Sequence, residues 1–258
     1  MVQGARTPVI AGNWKMHKTI EEAEEFINAL IPAIAETLNH VYLAVPFTAI
    51  KSLADRLQQT HLVIGAQNLN DAAEGAFTGE ISGRMLKDAG AKFVIIGHSE
   101  RRQGFGESNT FINRKVIRAL SEGLQPMLCI GETFEEREEG KTHSVLETQI
   151  IEGLKGIAAQ QIEKMIIAYE PVWAIGKGHH AATPKEAQQE HRYCRGVIAD
   201  HWGKEAANSL PILYGGSVNP ENVRSFLDQP DVDGVLVGGA SLCVDAFAQI
   251  VNYQTINV

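Results

Sequence analysis

Cysteine is scarce. Cys129, Cys194 and Cys243 are the only three in 258 residues. An odd count at wide spacing excludes a disulfide framework and any C-x-x-C metal or redox motif. It fits a reducing compartment, so a cytoplasmic location is expected. Long apolar runs are also missing: none reaches the roughly 18 residues a spanning helix needs, and no membrane association is expected. Met1 to Thr7 has no apolar segment of signal-peptide type. Basic charge is in deficit, with 23 Lys and Arg against 31 Asp and Glu and a net charge of -8. No basic stripe is available for a nucleic-acid backbone. An acidic chain can still take an anionic small molecule if a single Lys or a set of backbone N–H groups supplies local positive potential. Low-complexity segments and exact internal repeats are absent as well.

The rest of the composition, 44% hydrophobic and 21% charged, is that of a folded globular protein. Eight short apolar runs recur: Val9-Ala11, Val41-Val45, Leu62-Ala66, Phe93-Ile96, Pro126-Ile130, Met165-Tyr169, Ile212-Tyr214 and Gly234-Val237. They show little polar alternation, as expected of parallel strands buried on both faces. Helical patterns fill the intervals. The clearest is Ile20 to Leu38, where Ala23, Phe26, Ile27, Leu30, Ile31 and Ile34 recur at steps of three and four. Pro32 is placed to kink that helix. Ile50-Gln59, Ser82-Ala89, Thr110-Ser121, Val145-Ala159, Pro184-His201, Glu221-Leu227 and Ser241-Asn252 are the other candidates. Thr183-Pro184 and Asn219-Pro220 each place a capping residue before a Pro of a first turn.

Strand-helix alternation admits a closed barrel or an open doubly wound sheet. Eight regular units without a visible linker favour an α/β class (β/α)8 barrel, one domain over residues 1–258. In a barrel, chemistry collects in the loops after the C-terminal ends of the strands. Polar, titratable and Gly residues do concentrate there: Gly12-Asn13-Trp14-Lys15, Gln67-Asn68, Gly97-His98-Ser99-Glu100-Arg101, Gly131-Glu132, Glu170-Pro171, Gly215-Gly216-Ser217 and Gly238-Gly239.

Each candidate has a structural alternative. Glu170 follows a buried strand, where desolvation would suit a general base, or it is a capping or solvated carboxylate. His98 precedes a segment able to start a helix, whose N-terminus would keep the ring neutral, or it is a satisfied structural histidine. Lys15 either offsets substrate charge or pairs with a surface acid. The Gly pairs after the seventh and eighth strands suit a phosphate held by backbone N–H groups, or simply make tight turns. Other motifs are discounted. Gly176 to Ala181 spells G-x-G-x-x-A, but too far after its strand for a dinucleotide turn. His179-His180, His191 and Cys194 match no zinc spacing and read as exposed polar positions. Glu135 to Glu139 reads as a solvated helix face, and Cys129 as a small apolar strand residue.

Taken together, several segments resemble the triosephosphate isomerase family. They are Gly12-Asn13-Trp14-Lys15-Met16, Gly75 to Ser82, Ile96 to Arg102, Cys129 to Thr133, Ala168 to Gly176, Tyr214 to Val218 and Val237 to Leu242. They fall in family order across nearly the whole chain. The resemblance implies Glu170 as the base that moves a proton between C1 and C2, His98 as a neutral electrophile, and Lys15 as the cation facing oxyanion and phosphate. It implies Asn13 as a positioning group and Gly176, Ser217, Gly238 and Gly239 as phosphate-binding backbone. No cofactor and no metal are implied. Pro171 to Gly178 is similar to the family's closing lid, with Tyr214 and Ser217 placed to hold it shut. Two departures fall at the lid's far hinge: Lys177 stands between the glycines where Thr is usual, and the stretch before Pro184 is one residue longer. A slower or looser lid is the expectation. His17-Lys18 replaces a common Asn-Gly. By resemblance the chain is a homodimer, with the Gly75-Gly79 loop at the interface. The rivals are an isomerase of a longer sugar phosphate and a catalytically silent binding barrel.

Overall fold

The computed structural model describes residues 6–57, 60–175 and 181–254. Its strands are β1 (Val9–Asn13), β2 (His40–Val45), β3 (Leu62–Ala66), β4 (Phe93–Ile96), β5 (Gln125–Ile130), β6 (Ile166–Tyr169), β7 (Ile212–Tyr214) and β8 (Gly234–Val237). Each pairs in parallel with the next, and β8 pairs back onto β1 through Val9↔Gly234 to Gly12↔Val237. That closure decides between the two architectures: the chain is a (β/α)8 barrel. Parallel neighbours cannot be joined by tight turns, so every strand is followed by a crossover carrying helix on the outside.

The strands read as unbroken apolar runs because both of their faces are buried, in different places. Val9, Ala11, Ala44, Phe93, Ile95, Cys129, Ala168, Leu213 and Leu236 pack inside the barrel. Ile10, Leu43, Val94, Ile96, Leu128, Ile167 and Val235 face the surrounding helices. The period of two survives, but it separates two apolar environments instead of core from solvent. The interior is filled, as at Gly65, where an added Cβ would lie 2.3 Å from the Phe93 ring.

Several helix limits differ from the sequence reading. The first helix spans Ile20–Ala33 and stops short of Leu38. Pro32 sits in its last turn and supplies no N–H, so the helix ends one residue later instead of kinking. Thr19 and Glu22 form a capping box at its start. Thr183 caps Pro184–Trp202 as expected, with Pro184 in the first turn. Asn219-Pro220 does not open a helix: Asn219 and Asn222 exchange amide-to-carboxamide bonds of 2.9 Å in a turn, and the helix starts at Val223. The last segment divides into a 3₁₀ turn, Gly239–Leu242, and a helix, Val244–Val251. His191 and Cys194 are fully buried, which corrects their reading as exposed. The helix Pro184–Trp202 turns them inward onto the strands, and burial lowers the His191 pKa to about 3, so the ring is neutral.

Candidate active site

At the C-terminal mouth of the barrel lies a cavity of about 240 Å³. Asn13, Lys15, His98, Glu170, Ser217, Gly238 and Gly239, all singled out in the sequence, line it together. The eighth predicted residue, Gly176, lies outside the described residues, as do Lys177 to His180, so of the two hinge departures only the Ala181 to Pro184 part of the longer stretch is described.

Glu170 is the first residue after β6 and is 3% exposed. Its Oε1 stands 3.1 Å from His98 Nε2, and its Oε2 is 3.5 Å from the Ser99 amide. Burial raises its proton affinity. The charge and hydrogen bond of His98, the Cys129 thiol and Lys15 outweigh it, so the carboxyl is held below its ordinary value. Cys129 is buried, as its strand position implied, but its thiol also abuts the carboxylate, which the apolar reading of β5 did not reveal. Two glycines clear the space Glu170 needs. A Cβ on Gly131 would sit 1.8 Å from the Glu170 carbonyl oxygen, and one on Gly215 would sit 2.7 Å from Glu170 Cγ.

His98 ends the loop after β4 and begins the short helix Ser99–Gly104. Its Nδ1 accepts the Glu100 amide at 3.2 Å, so the hydrogen-bond network assigns the proton to Nε2, the nitrogen that faces Glu170. Burial lowers the ring's proton affinity. The neighbouring Glu170 carboxylate, the hydrogen bond to it and Glu100 overcome that and raise it.

Lys15 adopts a left-handed backbone with φ 52, uncommon for a side-chain-bearing residue. Its neighbours hold it there. The Lys15 amide donates to Asn13 Oδ1 at 3.0 Å, Gln67 Nε2 donates to the Lys15 carbonyl at 2.7 Å, and Trp14, fully buried, donates its Nε1–H to the Ser241 carbonyl. Lys15 Nζ reaches Glu100 Oε1 at 2.5 Å across the mouth. The pairing with an acid is thus realised, at the mouth of the cavity that Lys15 lines. On the opposite wall Gly215, Gly216, Ser217, Gly238 and Gly239 present backbone to the cavity. The Gly239 and Ala240 amides open the Gly239–Leu242 turn, and the Ser241 amide donates to the Gly238 carbonyl at 2.9 Å.

After Glu170 the chain makes a 3₁₀ turn, Val172–Ala174. Trp173 Nε1 donates to Glu132 Oε1 at 2.8 Å, Tyr169 donates its hydroxyl to the same oxygen at 3.2 Å, and the Val172 amide donates to the Glu132 carbonyl at 3.0 Å. The Arg137 guanidinium stacks 4.2 Å over the Trp173 ring and bonds Glu186 at 2.6 Å. Glu135, Glu138 and Glu139 are exposed, as read for 135–139, while Arg137, with a side chain 29% exposed, also packs onto Trp173. Tyr214, stacked on Phe226, has a buried hydroxyl without a hydrogen-bond partner among the described residues. The residues it was expected to hold lie partly outside the described set.

Matches to known proteins run the length of this barrel. The family model described as triosephosphate isomerase matches residues 8–254. The chain belongs to the triosephosphate isomerase family. A triosephosphate isomerase of Protochlamydia amoebophila is 55% identical over 96% of this chain and 93% of that protein. One from Caldanaerobacter subterraneus subsp. tengcongensis is 48% identical over 96% of this chain and all of its own. The crystal structure of triosephosphate isomerase from Bartonella henselae superposes with a TM-score of 0.87 at 38% identity, covering 96% and 98% of the two chains. Triosephosphate isomerase membership makes the chain an isomerase. Among its described residues no cluster of three or more His, Cys, Asp or Glu is arranged to hold a metal ion, and no helix is long and apolar enough to cross a membrane.

Proposed function

We propose that the chain interconverts dihydroxyacetone phosphate and D-glyceraldehyde 3-phosphate, a step of glycolysis and gluconeogenesis, by proton transfer through an enediol(ate). One observation carries the assignment of roles: Lys15, His98 and Glu170, from three distant segments, line a single small cavity. Glu170 takes a proton from C1, the C–H electron pair becomes the C1–C2 double bond, and the carbonyl electrons pass to O2. His98 Nε2–H and Lys15 Nζ stabilise the charge that develops there. Glu170 then returns the proton at C2 while the O1 hydroxyl proton passes to O2 by way of His98 Nε2, which leaves an aldehyde at C1 and a hydroxyl at C2. Asn13 orients the substrate. Backbone N–H groups at Ser217, Gly238 and Gly239, with Gly176 by resemblance, hold the phosphate.

The present 3.1 Å contact between His98 and Glu170 leaves no room for a substrate carbonyl, so binding has to part them. Parting removes the partner that raises the ring's proton affinity. Burial, the largest influence, and Lys15 lower it and remain, against the Glu100 charge alone, and the Glu100 amide stays on Nδ1. The neutral electrophile is thus a property of the occupied site. A cavity of about 240 Å³ is below the roughly 300 Å³ at which drug-sized pockets begin, which favours a triose over a longer sugar phosphate.

The test is a coupled assay on glyceraldehyde 3-phosphate with Glu170→Asp. Retracting the base by one methylene should lower kcat about 10²-fold or more. Unchanged turnover removes Glu170 from the role, and equal turnover of hexose phosphates removes the substrate reading. We further infer a cytoplasmic homodimer formed by one domain over residues 1–258. Phe77, on the Gly75–Gly79 loop, is 51% exposed and Met16 is 94% exposed, apolar surface that a second copy would cover. Light scattering that finds only monomer at micromolar concentration would refute the dimer.

A further inference from the structure

Gln149 takes no part in the chemistry described above, yet both polar atoms of its side chain engage a residue packed against the base. β5 pairs with β6 up to Ile130↔Tyr169, and the bonding continues beyond the strands. The Glu170 amide donates to the Ile130 carbonyl at 2.7 Å, and the Val172 amide donates to the Glu132 carbonyl at 3.0 Å. Residues 130 and 132 therefore turn toward β6. Peptide groups of an extended chain alternate between its two edges, so Gly131 turns its N–H and carbonyl the other way, toward β4. There the partner strand has ended: the β4–β5 register stops at Ile96↔Leu128, short of Gly131.

Side chains stand where that strand would continue. The Arg102 guanidinium bridges the Gly97 carbonyl, 2.7 Å from its Nε, and the Cys129 carbonyl, 3.0 Å from its Nη2. One rung further, Gln149 Oε1 accepts the Gly131 N–H at 2.8 Å and Gln149 Nε2 donates to the Gly131 carbonyl at 3.2 Å. A carboxamide offers an acceptor oxygen and a donor N–H, as a peptide group does, so Gln149 serves as a one-residue strand. Its helix, Thr142–Gly153, aims it by burying Leu146, Ile150 and Gly153. A Cβ on Gly153 would sit 3.1 Å from Leu128 of β5, which sets how closely that helix docks.

The position of Gly131 matters because nothing separates it from the base. A Cβ there would lie 1.8 Å from the Glu170 carbonyl oxygen and 2.6 Å from its carbonyl carbon, so the Glu170 backbone rests directly on this glycine. We propose that Gln149 is a positioning residue for the isomerisation: its two bonds fix the Gly131 peptide, and that peptide seats Glu170 and, through Glu132, the turn that follows it. The effect on turnover rests on the proposed role of Glu170 as base. A readout without substrate separates the two.

The experiment uses the intact protein with Gln149→Met, which keeps the side chain's length and suits a helix but makes neither bond. A cavity of about 450 Å³, lined by Gln149, Gly131, Arg102 and Val172 among others, adjoins the glycine. Water entering it can satisfy the freed N–H and carbonyl, so the variant folds with that peptide solvated instead of clamped. A misplacement of about 1 Å costs on the order of 10²-fold in rate, and a fraction of it should lower kcat roughly tenfold. KM and the inhibition constant of inorganic phosphate, which probes the opposite wall, should change less than about twofold. In a Glu170→Asp background, where the base is already retracted, the same substitution should cost less than about twofold in kcat, because both act on one group.

The substrate-free readout is the ¹⁵N titration of the His98 ring, whose Nε2 stands 3.1 Å from Glu170 Oε1. Burial lowers the ring's proton affinity; the Glu170 carboxylate more than reverses this, with Glu100 adding to it and Lys15 opposing. An opposite charge at contact moves a titration by about 1–3 pH units, so loosening Glu170 should lower the His98 midpoint by about half a unit in Gln149→Met. A shifted midpoint together with a fully active Glu170→Asp protein would count against the base and for the hold of Gln149 on Glu170. A His98 midpoint that Gln149→Met leaves in place overturns the proposal. So does an equal loss of kcat in both backgrounds, or a kcat within twofold of the parent while Glu170→Asp is impaired.

Discussion

Gly215→Ala tests the reading of the site most sharply, because it adds one methyl group and removes nothing. The new Cβ would lie 2.7 Å from Glu170 Cγ, 3.3 Å from the Tyr169 carbonyl oxygen and 3.5 Å from Glu170 Oε1. Gly215 does not use the left-handed backbone region, so alanine is allowed there by conformation. The segment cannot retreat, since the Gly215 amide is bonded to the Tyr169 carbonyl at 2.7 Å. Nor can the Glu170 backbone yield, with Gly131 packed against its carbonyl on the other side. The displacement therefore falls on the carboxylate. The clash is about 0.7 Å inside the 3.4 Å at which ordinary contact begins, and a misplacement of about 1 Å costs on the order of 10²-fold in rate. We expect kcat to fall roughly ten- to a hundredfold in the coupled assay, with KM changed less than about threefold because the amides proposed to hold the phosphate stay in place. Overpacking should cost about 1–3 kcal/mol in urea unfolding. A folded Gly215→Ala protein with unchanged kcat, or a loss carried wholly by KM, would refute the idea that this glycine exists to clear the base.

Two further outcomes follow from the same geometry. Burial raises the proton affinity of Glu170, but His98 and its hydrogen bond more than offset this and hold it below 4.5. The stability and the base function of its ionised form are therefore present above pH 4.5 and lost as the pH falls through the lowered value. kcat/KM corrected for substrate ionisation should show no limb from Glu170 above pH 4.5; an acid limb above pH 6.5 belongs to His98, whose proton affinity is raised in the free site, and one that survives in His98→Gln would contradict the assignment. At Lys15 the left-handed backbone costs an L-residue about 1–2 kcal/mol. Both Lys15→Ala and Lys15→Gly should abolish turnover, but the glycine variant should unfold at higher urea concentration, by about 1 kcal/mol. Equal midpoints would show that Lys15 carries no backbone strain.

Much of the fold could be read directly. The strand runs read at Leu62-Ala66, Phe93-Ile96, Ile212-Tyr214 and Gly234-Val237 coincide with β3, β4, β7 and β8. A strand buried on both faces needs an uninterrupted apolar stretch, and that is a local property. Asn13, Lys15, His98, Glu170 and the glycine pairs were legible for a related reason. Barrel chemistry sits directly after strands, so polar residues that break an apolar run mark themselves. Helix ends were less legible, because Pro32 permits either a kink or a stop and Asn219-Pro220 either a cap or a turn.

What the chain order alone determined is the succession of buried strands and the kinds of side chain placed at their ends. Ring closure, the meeting of Lys15 with Glu100 across the mouth, the Cys129 thiol against Glu170 and the hold of Glu132 and Arg137 on Trp173 were decided only by tertiary structure. Each depends on distances between residues on different strands or loops. Periodicity reports which face of an element is buried, but not which distant group will share that burial, and charge and proton affinity are set by that neighbour.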